Sequence, residues 1–124
     1  MTRPRTIIAR GISMFPLIPD GTVLLFEPTT AVALGDVVLT EHDGRCFAHR
    51  VVRLEADRVV TWGDWNRHPD PPVPLSAVGG RLAVMLRKGV PVSLDWPEVR
   101  LASVLLARLL PGLRSALTAR HRMD

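Results

Sequence analysis

The sequence predicts a mostly β fold closed by a C-terminal amphipathic helical segment, and three observations carry that expectation. Short apolar runs bounded by Gly, Pro and Asp recur through the first 96 residues. An Asp-Gly pair, Asp43-Gly44, separates two of these runs at hairpin spacing. Beyond Pro97 the pattern changes, and Leu101, Leu105, Leu109, Leu113 and Leu117 recur at every fourth position.

Taken in order, a short β-like run follows Arg5, and Thr22 to Phe26 and Asp36 to Thr40 are strand candidates set off by Gly21, Pro28 and Gly35. Cys46 to Leu54 continues past the Asp-Gly turn, and Val59 to Trp62 leads into Gly63. Pro69-Asp70-Pro71-Pro72-Val73-Pro74 is expected as extended loop, because proline cannot donate to a ladder and biases its predecessor toward extended geometry. Val78 to Leu86 and Val90 to Leu94 are strand candidates joined at a Lys88-Gly89 turn. The domain organisation expected is a β-domain over residues 1–96 and a basic amphipathic tail over 97–124.

In the tail, Pro97 suits a first helical turn, Arg100, Arg108 and Arg114 flank the leucines, and Pro111-Gly112 predicts a kink or two short helices. Three roles stay open for it: packing on the sheet, lying on a membrane surface, or binding a partner protein.

Composition narrows the functional classes. The chain has 124 residues, enough for one core, and 47% are hydrophobic, which excludes a disordered chain. A single cysteine, Cys46, excludes an internal disulfide framework, and His42, His49, His68 and His121 have no metal-ligand spacing, so neither metal nor cofactor is expected. The net charge is +4 and Lys88 is the only lysine. The arginines are scattered without interleaved aromatics, so nucleic acid is not the expected partner. Residues 1–5 do not open a long apolar stretch and no window reaches membrane-span length, so no signal peptide or transmembrane helix is expected. That reading places the protein in the cytoplasm or on a membrane surface.

The residues able to do chemistry are few. Ser13 stands between Gly11 and a Met14-Phe15-Pro16 bend, where a hydroxyl is exposed and nearby amides turn outward. His49 lies in the alternating run Phe47-Ala48-His49-Arg50-Val51, sharing a face with Phe47 and Val51 while Arg50 points the other way. Asp64 follows Gly63 at a strand end and Asp70 sits in the stiff proline loop. Singly, each has an ordinary explanation as a turn serine, a half-buried core histidine or turn acids. Their occurrence in one chain is what suggests a hydrolytic set.

Their order resembles the signal peptidase I superfamily, in particular the Ser–His branch of the S24/S26-type peptidases found in archaea and the endoplasmic reticulum. Ser13-Met14-Phe15-Pro16 matches the serine box, Gly35-Asp36-Val37-Val38 a second box, His49-Arg50-Val51-Val52 the base box, and Gly63-Asp64-Trp65-Asn66 with Asp70 the last. Val78 to Leu82 looks like the family's closing strand. Ile12 and the hydroxyl-free Gly11 depart from the pattern, and with only a dozen residues before the serine and no membrane helix expected among them, the chain looks like a minimal, stand-alone relative.

The resemblance implies a compact signal-peptidase/LexA-like β-fold. It also implies Ser13 as nucleophile, His49 as general base, Asp70 as its orienting acid and Asp64 as support, with the pairing of the two acids left open. Gly11, Met14 and Pro16 would border the substrate, an extended precursor peptide or protein. Lys88, at a turn beyond the last box, is poorly placed for a Ser–Lys mechanism. The function expected is that of a serine endopeptidase removing a leader or signal-like segment through Ser13 and His49. The alternatives are a non-catalytic peptide-binding module on the same fold and a self-cleaving repressor half.

Overall fold

In the computed structural model, described over residues 3–15, 17–29 and 31–109, the chain is built on one eight-stranded sheet, a single 3₁₀ turn at Leu75–Ala77 and one α-helix. The strands are β1 (Arg5–Ile8), β2 (Val23–Glu27), β3 (Val37–His42), β4 (Arg45–Leu54), β5 (Arg58–Trp62), β6 (Val73–Pro74), β7 (Val78–Arg87) and β8 (Val90–Ser93). Helix α1 covers residues 97–109. The expected kink at Pro111-Gly112, together with Leu113, Leu117, Arg114 and His121, lies outside the described residues.

Every strand pairing is antiparallel, in the order β1-β2-β7-β3-β4-β5-β6, with β8 also on β7. Two tight turns set the register. Asp43-Gly44 joins β3 to β4 with both residues at positive φ (52° and 76°), and Lys88-Gly89 joins β7 to β8 in the same way (51° and 79°). Turns of this hand match the right-handed strand twist, which is why Asp-Gly and Lys-Gly sit there. The proline segment corrects the loop expectation in one respect. Val73 and Pro74 pair with Val59 and Arg58 as a two-residue edge strand, where a missing N–H costs nothing.

The core has two parts. The larger gathers Met14, Ile18, Leu24, Phe26, Leu39, Leu82 and Met85, and the smaller gathers Val38, Val51 and Val59. Val38 and Leu39 are neighbours on β3 yet belong to different parts, so this strand is buried on both faces. The sheet curls enough that β1 and β4, with three strands between them in the order, line one cavity.

Helix α1 packs against the turn that feeds β3. Its buried positions are Ser103 and Ala107, and Arg100 reaches Asp36 at 3.5 Å. Gly35 permits the approach: its φ is +92°, and a Cβ there would lie 3.0 Å from the Val104 amide nitrogen. The leucines that mark the helix in sequence face away from the body. Leu101, Leu105 and Leu109 are all exposed.

Candidate active site

The site is assembled from three segments. The turn holding Ser13 leads out of β1, His49 comes from β4, and Asp70 from the proline loop after β5. Backbone bonds fix each segment. Trp65 N–H donates to the Ser13 carbonyl at 2.8 Å, and Asp70 N–H donates to the Thr61 carbonyl at 2.8 Å. Gly63 makes the first contact possible, since a Cβ there would fall 2.8 Å from the Ser13 carbonyl oxygen. The Gly63–Asn66 turn is braced by Trp62 Nε1–H donating to the Asn66 carbonyl at 2.8 Å.

The three side chains form one hydrogen-bonded line. His49 Nδ1 lies 2.6 Å from Asp70 Oδ2, and His49 Nε2 lies 3.1 Å from Ser13 Oγ. An ionised carboxylate can only accept, so Nδ1 carries the proton of the neutral ring and Nε2 presents its lone pair to the serine hydroxyl. Thr61 Oγ1–H donates to the same Asp70 oxygen at 2.7 Å. His49 is 4% exposed, with the Phe47 ring 5.7 Å away on the same face.

The neighbouring residue on β4 points to the opposite face and makes a different pair. Arg50 is wholly buried, and its Nε and Nη2 donate to the two oxygens of Asp64, both at 2.8 Å. A third bond, from Nη1 to the Gly35 carbonyl at 3.0 Å, ties this pair to the base of β3. The Asp64 amide also donates to Met14 Sδ at 3.3 Å. Asp64 therefore touches the serine turn through backbone and sulfur, not through His49.

A cavity of about 190 Å³ opens beside Ser13 and His49. Ile7 and Ile8 of β1, Phe47 and Ala48 of β4, and the core residues Met14 and Ile18 all line it. Gly11 also lines it, with its N–H donating to Asp20 Oδ1 at 2.8 Å. Pro16 lies outside the described residues. Phe15 and Trp65, half-exposed, meet edge to face with centroids 5.4 Å apart. Among the described residues, no group of three or more His, Cys, Asp or Glu side chains gathers as a metal site.

The structure thus brings Ser13, His49 and Asp70 together and sends Asp64 to Arg50. Sequence reasoning missed Thr61, whose residue type is ordinary for a strand and gave no signal. It also missed the burial of Arg50, although an arginine inside a valine-rich strand facing away from His49 needs an acid, and the Gly63-Asp64 turn offers one.

A family model described as Peptidase S24-like matches residues 6–70, just over half of the chain. The chain belongs to the S24-like peptidases. The matched span begins in β1 and ends at Asp70, so it includes Ser13, His49 and Asp70. No curated protein matches the chain. The mostly β architecture accords with an S24-like fold, and the only lysine of this S24-like chain, Lys88, is exposed in the β7–β8 turn.

Proposed function

We propose that this chain is a serine endopeptidase of the Ser–His type, similar to signal peptidase I, which removes a leader or signal-like segment from a peptide or protein precursor. The observation that carries the reading is the unbroken line Ser13 Oγ, His49 Nε2, His49 Nδ1, Asp70 Oδ2. Ser13 Oγ attacks the scissile carbonyl carbon while its proton passes to His49 Nε2. Asp70 stabilises the imidazolium that forms and holds the ring in the tautomer that starts the reaction. The same Nε2 proton then goes to the leaving amine, and water, deprotonated by His49, releases the acyl group. The Gly11 amide is committed to Asp20, so stabilisation of the oxyanion falls to the amides of the serine turn itself.

Main-chain geometry supports an extended substrate. The Ala9 amide and carbonyl both bond toward β2, so by alternation those of Ile8 and Arg10 face the cavity side. On β4, Val51 bonds toward β3, and pairing with β5 starts only at Arg50, so Cys46 and Ala48 turn their polar groups to the same space. A peptide strand entering between β1 and β4 would find donors and acceptors on both sides, with the apolar cavity taking a small side chain near the cut.

The test is mass spectrometry of candidate leader peptides incubated with wild type and Ser13→Ala. Cleavage by wild type alone is expected. A peptide that both proteins bind and neither cuts would replace this reading with a non-catalytic binding module.

A further inference from the structure

Helix α1 carries more apolar side chain on its outer face than a packed helix needs. The positions turned to the body are Ser103, at 8% exposure, and Ala107, at 2%, with Val99 on the larger core part, Arg100 on Asp36 and Val104 against Gly35. The positions turned outward are Leu101, Leu105 and Leu109, at 62%, 47% and 64%. Their spacing of four places them in one line along the helix, and Trp96, 46% exposed, stands just before its first turn. A helix selected only to cover the sheet would not leave three leucines in one exposed line.

Charge says what the outward face meets. Residues 97–124 hold five arginines, Arg100, Arg108, Arg114, Arg120 and Arg122, against the acids Glu98 and Asp124. Three of the four net positive charges of the chain therefore fall in this last stretch. Arg100 is held by Asp36 and Asp95, while Arg108 is exposed beside the leucine line. An apolar line with the exposed Arg108 beside it, in a stretch of sequence rich in arginine, is complementary to a surface that is apolar within and anionic at its boundary. No helix among the described residues is long and apolar enough to cross a membrane, so the contact is along the surface.

We infer that α1 is a peripheral docking helix for anionic lipid bilayers, with Leu101, Leu105 and Leu109 entering the headgroup–acyl boundary and the arginines meeting lipid phosphates. Trp96 sits where an aromatic ring favours the interface. The helix is anchored to the protein through Gly35 and Asp36, at the base of β3, so docking would hold the whole sheet against the bilayer without using any residue of the candidate active site. The inference is independent of the hydrolytic reading.

The experiment is co-sedimentation of the full chain with vesicles of phosphatidylcholine alone and of phosphatidylcholine mixed with phosphatidylserine. Binding to the mixed vesicles is expected, falling as salt is raised. Leu105→Glu, an outward change that circular dichroism should report as folded, is expected to weaken that binding by about tenfold or more. Absence of wild-type binding overturns the inference, as does unchanged binding by Leu105→Glu. So does an analytical ultracentrifugation result in which the wild type is a dimer and Leu105→Glu a monomer, for then a second copy covers the leucines.

Discussion

His49 and Arg50 are consecutive residues of one strand, both buried and each paired with an aspartate from the segment after β5, yet the two pairs are built differently. Arg50–Asp64 is closed: two parallel bonds, a third to a backbone carbonyl, and an acid side chain 4% exposed. His49–Asp70 is a single bond, its acid is shared with Thr61, and its side chain is 30% exposed. A bidentate guanidinium–carboxylate pair fixes geometry and has no need to move a proton. A histidine with one nitrogen on an acid and the other on a hydroxyl is free to exchange one. The difference separates a pair that holds the site from the pair to which the proposed reaction assigns the proton transfer.

The largest effect that would break this contrast lies on the open pair. Asp70→Asn should lower kcat/KM by about 10⁴-fold, because the wrong tautomer of His49 is then favoured, while the urea midpoint moves little. Steady-state kinetics beside urea unfolding checks it. If Asp64→Asn gave that kinetic loss in a folded protein and Asp70→Asn did not, the two roles would be exchanged.

On the closed pair, Arg50→Ala should cost about 3–5 kcal/mol of stability, since it strands a buried carboxylate. Replacing both partners together, Arg50→Met with Asp64→Leu, should recover much of that loss in the same unfolding assay. If the double variant were as unstable as the single, the pair would be worth more than its apolar replacement.

Thr61→Val removes one donor from Asp70 at nearly constant volume. It should reduce kcat/KM by about tenfold, some 1.4 kcal/mol, with Thr61→Ser restoring most of the activity. Stability alone would not explain a loss that serine repairs.

The smallest effect belongs to a surface pair. A hydrogen bond from Arg81 holds the Asp95 carboxyl below the ordinary carboxylate range, and the charges of Arg81 and Arg100 add to it. A folded value below the unfolded one means that this stabilisation is present above the unfolded pKa and fades as pH falls through the folded one. Asp95→Asn should therefore flatten the loss of stability below about pH 4, by little, because Asp95 is more than half exposed. Thermal unfolding at a series of acid pH values measures it.

Much of the fold was legible because its signals are local. Asp43-Gly44 and Lys88-Gly89 mark turns whose backbone hand few residues tolerate, and the apolar runs between such breaks give the strands. The residues of the candidate site were legible as types, and the fold carries Ser13, His49 and Asp70 to hydrogen-bonding distance. What sequence left open depended on long-range packing. Which acid meets His49 is decided by the Gly63–Asn66 turn and the loop after it, and alternation alone could not say that Arg50 would be sealed inside. The leucine line of α1 identified a helix correctly but not the side it turns to the body, because Gly35 selects small residues for that contact.

The Asp43-Gly44 turn carries a consequence for how this chain can vary in length. It sets β4 against β3 so that His49 lies opposite Val38 and Arg50 opposite Val37. Side chains alternate between faces with a period of two, so one residue inserted in this turn and absorbed as a slip of β4 would present a neighbour of His49 to the serine. Two inserted residues could be taken up as a longer hairpin loop with the pairing intact. Homologous chains that keep this chemistry should therefore differ at that turn by even numbers of residues, or offset an odd change with a bulge before His49.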